Sequence, residues 1–214
     1  MRSPSVLLAL MFTLAWPNLS RADLLTNGDF SAGNTGFTSQ YVYDPNLLVI
    51  ETHYNVGDNP IHFHPQGSSF TDHTTGNGLM YIANGPTSNN LAAWEESVSV
   101  TPQTNYVFSG WLASWGNTGN SIDPSPAVLR LLVNNVQVGS DITALSSDGQ
   151  WKSFSIDWNS GGSTNAVLKI VDSNIAAVGN DFVLDDLSFT AVPEPASFVP
   201  VALALGFLLR RRKR

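Results

Sequence analysis

The sequence predicts an all-β domain, a two-sheet jelly-roll β-sandwich, flanked by a cleaved signal peptide and a C-terminal hydrophobic helix. From residue 23 to 190, short runs rich in Val, Ile, Phe, Tyr, Trp and Thr alternate with clusters of Gly, Asn, Asp, Ser and Pro. No convincing stretch of this body shows the 3.6-residue period of an amphipathic helix. About ten short strands in one domain favour a two-sheet sandwich, and a jelly roll is the commonest way to close so many strands.

Each candidate strand is a run of β-forming residues bounded by turn-forming residues. The strands are predicted at residues 24–30, 37–43, 47–54, 78–83, 91–100, 106–115, 127–133, 136–140, 151–158, 166–172 and 182–190. The clearest local signal is a tight hairpin at Asn134-Asn135, because asparagine tolerates positive φ and the flanking residues alternate between apolar and polar.

The first 22 residues have the three parts of a secretory signal peptide. A basic start at Arg2 precedes an apolar run over 6–16, and Ser20-Arg21-Ala22 has small residues at the cleavage positions. The alternative is an N-terminal anchor, but the apolar run is roughly half of the 20 residues that a membrane span needs. We therefore expect three segments: a signal peptide at 1–22, the sandwich at 23–191 and a tail at 192–214.

The tail consists of Pro193-Glu194-Pro195, an apolar stretch over 196–209 and a basic cluster over 210–214. A helix over the apolar stretch would be about 21 Å long against roughly 30 Å of hydrocarbon, which makes a poor permanent anchor. The five cations would hold its end on the cytoplasmic side of the membrane. An uncleaved anchor and a chance basic terminus are the alternatives.

This order of parts closely resembles the PEP-CTERM sorting signal of Gram-negative bacteria that make exopolysaccharide, with the Pro-Glu-Pro box at 193–195. The resemblance implies a transient inner-membrane anchor and recognition by an exosortase-type membrane protease. It also implies removal of the apolar and basic segment, followed by delivery to the cell surface or the extracellular matrix.

The charge distribution limits the partners of the body. Seven of the ten basic residues lie in the two terminal segments, so the body has three basic residues against sixteen acidic ones, a net charge of −13. Electrostatic repulsion from this charge argues against nucleic acid as a partner of the body. The chain has no cysteine, which rules out a disulfide scaffold, a thiolate metal site and a cysteine nucleophile.

Two stretches at the ends of the body, 24–37 and 182–189, resemble the carbohydrate-binding-module (galactose-binding-like) type of jelly roll. The resemblance implies that the first and last strands lie side by side with a structural calcium between them, since carbonyls and carboxylates suit this hard cation. The candidate calcium ligands are Asn27, Asp29, Asp185 and Asp186. Ser31 stands where that family frequently has an acidic residue, which removes one ligand. The alternative is a turn at Asn27-Gly28 and carboxylates that bond backbone N–H groups.

All four histidines fall within 21 residues, at His53, His62, His64 and His73. If residues 62–64 were extended, the imidazoles of His62 and His64 would point to one face, an arrangement that would suit a zinc or copper site. Pro60 and Pro65 flank the pair, and no Glu-x-x-His pattern or cysteine accompanies it. For His73, which follows Asp72 in a polar corner, we expect a structural hydrogen bond.

Tryptophans are the candidate sugar-stacking residues, with the aromatic core as the alternative. Trp115 is the first candidate because it ends a predicted strand and opens the polar loop at 116–120. Trp94, beside Glu95-Glu96, is the second.

The leading hypothesis is a non-catalytic surface or matrix protein whose body binds or supports extracellular polysaccharide. The sequence contains no Gly-x-Ser-x-Gly elbow, no phosphate-binding glycine loop and no His-Glu-x-x-His helix, and one adjacent pair of glutamates does not define a glycosidase. The main rival is a secreted hydrolase or metal-dependent enzyme that uses the His53–His73 segment. A third interpretation is an inert body that serves only for surface display.

Overall fold

A computed structural model describes residues 22–116 and 122–193 of the chain. Residues 1–21 of the predicted signal peptide and residues 194–214 of the predicted tail, with its hydrophobic helix and basic cluster, lie outside the described residues. Within the described part the regular structure is almost entirely strand, with one short 3₁₀ helix at Pro60–His62, so the predicted all-β class is confirmed. In neither described range does a helix have the length and apolar character needed to cross a bilayer.

The strands form two sheets, one of six strands in the order β1-β2-β3-β11-β5-β9 and one of five in which β4-β10-β6-β7 is joined by β8 beside β6. Their bounds are β1 Val42–Tyr43, β2 His53–Gly57, β3 Met80–Asn84, β4 Ala92–Ser99, β5 Asn105–Ser114, β6 Val128–Val133, β7 Val136–Gln137, β8 Ile142–Thr143, β9 Lys152–Asn159, β10 Asn165–Asp172 and β11 Phe182–Ala191. The last strand therefore lies inside the six-stranded sheet, between β3 and β5.

The predicted strand at 47–54 is wrong over most of its length. Asp44 Oδ1 accepts hydrogen bonds from the N–H groups of Asn46 and Leu47, which closes a turn instead of continuing a strand. Thr52 then has φ of 65°, a left-handed conformation that turns the chain before β2 begins. The short strand β8 and the 3₁₀ helix were not predicted.

The predicted Asn134-Asn135 hairpin is confirmed. Its two asparagines have φ of 52° and 63°, and Val133 pairs with Val136 across the turn. Two successive positive φ angles match the right-handed twist of the strands that they connect.

The main core lies between the two sheets and is rich in stacked aromatic rings. Tyr106 and Phe189 stack with ring centroids 4.9 Å apart, and Tyr54 and Tyr81 with centroids 5.0 Å apart. Alternate residues of each strand point into this core, as Leu129, Leu131 and Val133 do from β6.

A second, smaller core lies on the outer face of the six-stranded sheet. Met80, Ile82, Ala113 and Val183 point away from the main core and pack with Leu48 and Trp115. Phe63 and Phe70 pack against this cluster, so the chain between β2 and β3 covers that face. The outer face of the five-stranded sheet has no comparable second core among the described residues.

The first segment of the body pairs with the last strand, as the carbohydrate-binding-module resemblance implies. Leu24 N donates to Phe189 O at 3.0 Å, and Leu187 N donates to Gly28 O at 2.9 Å. A Cβ atom at Gly28 would lie 1.9 Å from the carbonyl oxygen of Leu187. Only glycine permits this close approach of the two backbones.

Candidate functional site

Trp115 is fully buried, so the expectation that it forms an exposed platform is wrong. Its indole Nε1 donates to Ala83 O at 2.8 Å, and its ring lies 5.3 Å from the His64 ring. The cause is the second core, because the segment before β3 covers the end of β5 from outside: Ser68 N donates to Trp115 O. A tryptophan at the end of a strand is exposed only if no other part of the chain covers it.

Trp94 is also fully buried and faces Phe108, with ring centroids 6.0 Å apart, so it cannot present a face to a sugar either. Its neighbours Glu95 and Glu96 point to opposite faces of β4. Glu95 Oε2 lies 3.1 Å from Lys169 Nζ on the outer face, whereas Glu96 Oε1 accepts from Thr26 N on the inner side. The two carboxylates therefore extend to opposite sides of β4, although both residues border one open depression beside the first segment.

The residues predicted to bind calcium are only partly brought together. Asn27, Asp29 and Asp186 border one shallow depression beside the first segment. Asn27 uses its whole amide on its own loop: Oδ1 accepts from Ala32 N, and Nδ2 donates to Gly33 O and Thr35 O. Asp29 Oδ1 accepts from the backbone N–H and the hydroxyl of Ser31. These bonds fit the turn interpretation better than a cation site.

Asp185 and Asp186 instead hold the loop at residues 73–74. Asp185 Oδ2 accepts from His73 N at 2.8 Å and from Thr74 N at 3.1 Å, while Asp186 Oδ2 lies 2.7 Å from His73 Nδ1. Burial raises the pKa of Asp185 to about 6, against the opposing effect of these hydrogen bonds. The expected structural hydrogen bond of His73 is confirmed, and its ring also stacks on Trp111 at 3.8 Å.

The four histidines do not converge. His62 lies in the 3₁₀ helix, so the extended geometry that would have aligned it with His64 is absent there. His62 Nδ1 lies 3.0 Å from Asp58 Oδ1 at the surface, whereas His64 is buried, which lowers its pKa. Within 22–116 and 122–193, no three His, Asp or Glu side chains form a group that could hold a metal ion.

An open groove of about 410 Å³ lies on the uncovered outer face of the five-stranded sheet. Alternation along β6 and β10 carries the outward-facing side chains Arg130, Leu132, Lys169 and Val171 to this face, and β10 pairs with β6 in register. Its polar lining residues are Gln40, Asn90, Arg130, Asn135, Gln137 and Lys169. Its apolar floor consists of Ala92, Leu132 and Val171, of which Ala92 and Val171 are almost fully buried and Leu132 is partly exposed.

Ion pairs fix the two cations of the groove. Arg130 Nε and Nη2 bond Asp141 Oδ1 and Oδ2 at 3.1 and 2.9 Å, and Gln137 Nε2 reaches Asp141 Oδ1 at 2.9 Å. The hydrogen bond from Arg130 holds the pKa of Asp141 below its usual range. Lys169 Nζ makes a single ion-pair contact with Glu95 Oε2 at 3.1 Å. The groove thus offers oriented hydrogen-bond donors and acceptors over an apolar floor, a combination that suits a hydroxyl-bearing ligand.

Sequence reasoning missed this groove, although one signal was present. Of the three basic residues in the body, Arg130 and Lys169 lie at outward positions of paired strands, while Lys152 lies elsewhere. The sequence does not show that the strands carrying Arg130 and Lys169 are paired, so it could not place the two side chains in one groove.

No protein-family model matches the chain, and no curated protein matches it in sequence. Among solved structures, the CBM22-1 xylan-binding domain from Paenibacillus barcinonensis Xyn10C aligns with a TM-score of 0.53 and 14% identity, over 82% of this chain and 98% of that one. The Stig cyclase Fisc from Fischerella sp. TAU aligns with a TM-score of 0.56 and 12% identity, over 82% and 100% of the two chains. These similarities confirm the predicted jelly-roll sandwich. Because the same fold serves a sugar-binding module and a cyclase, function has to be argued from the residues.

Proposed function

We propose that the chain is an exported, non-catalytic protein whose jelly-roll body binds extracellular polysaccharide in the groove on the outer face of the five-stranded sheet. The observation that carries this proposal is the groove itself, where fixed polar side chains surround an apolar floor on an uncovered sheet face. Sugar hydroxyls need donors and acceptors of this kind, and the less polar C–H faces of a sugar suit the floor. The occurrence of a xylan-binding domain on this fold supports the same class of ligand.

The charge of the body favours a neutral glycan over an acidic one. Both cations of the groove are paired with carboxylates, and the remaining surface belongs to a body of net charge −13. A polyanion would meet long-range repulsion without an unpaired cation in the groove to offset it. Added salt should therefore leave binding of a neutral glycan almost unchanged.

Matched lysine substitutions test the groove in the purified full-length chain. Lys169→Met removes the groove ammonium and keeps the length of the side chain, while Lys152→Met removes the lysine outside the groove, whose Nζ donates to Thr143 O. A lost hydrogen bond from a charged group costs about 1.5–3 kcal/mol, so Kd for a bound glycan should rise about tenfold or more for Lys169→Met alone. Equal effects of the two variants, or no binding of any neutral or acidic glycan by the parent chain, would remove the binding role.

We further propose that the chain is exported through residues 1–22 and sorted by its 192–214 tail. An exosortase-type protease would cleave the tail after a transient stay in the inner membrane, and the product would reach the cell surface or matrix of a Gram-negative bacterium. In support, Val192 N donates to Asn105 O at 2.7 Å, and Pro193 follows as an exposed residue directly after the sandwich. Mass spectrometry of the mature C-terminus is the test, and an intact chain ending at Arg214 on the cell surface would contradict cleavage.

A further inference from the structure

The open depression that Glu95 and Glu96 border lies beside β4 and shares no lining residue with the groove. Its volume is about 440 Å³, which is within the range of sites that hold small ligands. We call it the Phe37 depression, after the partly exposed aromatic ring in its wall. Apart from one glycine, its other lining residues carry hydroxyl or carboxyl groups: Thr26, Gly36, Thr38, Glu95, Glu96 and Ser97.

The Phe37 depression continues the groove along the same two pieces of chain. Thr38 N donates to Glu95 O at 2.9 Å, and Glu95 N donates to Thr38 O at 2.8 Å. Two residues after Thr38, Gln40 N donates to Ala92 O at 2.8 Å. Gln40 and Ala92 line the groove, whereas Thr38 and Glu95 line the depression. Because a strand rises about 3.3 Å per residue, Ala92 and Glu95 are about 10 Å apart along β4, and one ligand chain can reach both sites.

The ion pair between Glu95 and Lys169 lies at the boundary between the two sites. Glu95 is opposite Lys169 in the register of β4 and β10, and Lys169 belongs to the groove. Ser97 is opposite Val167 in the same register, and alternation along β4 places Ser97 on the same face as Glu95. The groove and the Phe37 depression therefore both open on the outer face of the five-stranded sheet.

Glu96 brings an unpaired acceptor to the Phe37 depression. It is 8% exposed, and none of the ion pairs made by Lys, Arg or His in the described part of the chain involves it. Its Oε1 accepts from Thr26 N at 2.8 Å, while its buried Oε2 has no hydrogen-bond partner within residues 22–116 and 122–193. Burial raises the pKa of Glu96 against the hydrogen bonds from Thr26, and the nearby Asp23 raises it further. Buried acceptors without donors are rare in folded proteins, so this oxygen indicates a missing donor.

The groups around the Phe37 depression suit a primary ammonium group. Of its two carboxylates, Glu95 is balanced by Lys169, whereas Glu96 has no cation beside it in the described structure. Aromatic rings attract cations to their faces, and the Phe37 ring is partly exposed at this site. An ammonium group carries three N–H donors and no acceptor, so it matches a lining of carboxylates and hydroxyls.

Long-range charge and the position of the depression identify the kind of molecule that carries this ammonium group. The net charge of −13 attracts a cationic ligand to the body, where it would repel an acidic one. Continuity with the groove favours a glycan, because one polymer can place hydroxyl groups in the groove and an amine in the depression at the same time.

We propose that the Phe37 depression is a subsite for an amino sugar, so that the polysaccharide bound by this protein is one with free amines. This inference rests on the proposed glycan-binding function and specifies its ligand. The ammonium group lies against the Glu96 carboxylate and the Phe37 ring, and the adjoining sugars of the same chain lie in the groove.

Calorimetric titration of the purified full-length chain tests the proposal with two probes, the tetrasaccharides of glucosamine and of N-acetylglucosamine. They share one sugar backbone, and only the first carries free amines, which are charged at about pH 6. We expect the glucosamine tetramer to bind the parent chain about tenfold more tightly, because hydrogen bonds to charged groups are the stronger ones. Added salt should weaken binding of the glucosamine tetramer and leave binding of the acetylated tetramer almost unchanged.

Glu96→Gln tests the carboxylate in the same titration. Glutamine keeps an oxygen for Thr26 N but removes the charge, so Kd for the glucosamine tetramer should rise about tenfold and Kd for the acetylated tetramer should change less than about twofold. Asp157→Asn is the matched control, because it changes the net charge of the body by the same amount on β9 of the other sheet. It should change either Kd less than about twofold.

Two results would overturn the amine subsite and leave the groove intact. The first is equal affinity of the parent chain for the two tetramers, with both weakened by Lys169→Met; this comparison decides the matter even if Glu96→Gln does not fold. The second is an equal loss of glucosamine binding in Glu96→Gln and Asp157→Asn, which would reduce the effect to net charge.

Two further results separate the subsite from the rest of the proposed function. Glucosamine binding that is lost in Glu96→Gln but not in Lys169→Met would support the amine subsite and reject the groove as the glycan site. Tetralysine that binds as tightly as the glucosamine tetramer, with the same loss in Glu96→Gln, would assign the depression to a protein ligand and reject the amino sugar.

Discussion

Trp115→Ala separates the two roles that this tryptophan could have. If Trp115 were an exposed sugar platform, the substitution would lower the affinity of the protein for glycan and leave the fold intact. Because Trp115 is a fully buried residue of the second core with a hydrogen-bonded indole N–H, the substitution should instead lower the stability of the fold. Truncation of a buried aromatic side chain to alanine costs about 3–5 kcal/mol, which for a domain of this size lowers Tm by roughly 6–20 °C.

Thermal unfolding followed by circular dichroism gives the magnitude, and affinity electrophoresis on the bound glycan gives the function. Trp115→Phe is the matched control, since it keeps an aromatic ring in the core but leaves Ala83 O without its indole donor, at a cost of about 1–3 kcal/mol. We expect Tm to fall in the order parent, Phe, Ala, with unchanged glycan affinity of the folded fraction. A Tm within about 2 °C of the parent for Trp115→Ala, combined with lost glycan retention, would refute the packing argument.

Three further predictions concern the backbone and the buried acids. Gly28→Ala should destabilise by about 1–3 kcal/mol or more because its Cβ would clash with Leu187 O, whereas Gly162→Ala, with no neighbour within 4 Å, should be close to neutral in the same melt. Asn135→Val should cost about 1–2 kcal/mol at its positive φ, while Asn135→Gly should not; a harmless valine would contradict the observed turn. The raised pKa values of Asp172, about 7, and Asp181, about 8, mean that the folded state holds more protons than the unfolded chain, so their contribution to the free energy of unfolding is full below about pH 4 and is lost as pH rises to about 8. Tm should fall across that upper range and fall less in Asp181→Asn; a steady rise would reject the assigned burial.

The fold was predictable because local patterns and long-range structure agree along most of the body. Alternation along β6, the paired asparagines after it and the apolar run of β11 each specify their own conformation. The predicted strands at 24–30 and 37–41 are turns and irregular segments instead. The prediction also failed between residues 47 and 52, where Val and Ile suggested a strand but hydrogen bonds to Asp44 closed a turn. The hydrogen bonds to the Asp44 side chain outweigh the β propensity of this segment, because no neighbouring strand pairs with it to stabilise an extended conformation.

The candidate site was much less predictable, since exposure depends on what lies over a residue. Trp94 and Trp115 looked suitable from their sequence neighbours, yet both are covered by other parts of the sandwich. The groove depends on β6 lying beside β10, which are separated in sequence by β7, β8 and β9. The sequence shows that the body has three basic residues, but not that Arg130 and Lys169 share the five-stranded sheet while Lys152 lies in the other sheet.

The two sheets differ in what lies on their outer faces. Outer-face residues of the six-stranded sheet are packed under the chain before β3, and β11, which carries Asp185, lies within that sheet. The five-stranded sheet leaves its outer face to solvent, with ion pairs instead of a second core to order its side chains. Ordering by ion pairs keeps donors and acceptors accessible, which an apolar cover would not, so the proposed polysaccharide would bind on this side. Under the proposed function, the acidic charge outside the groove would select against polyanions without any contact to the ligand.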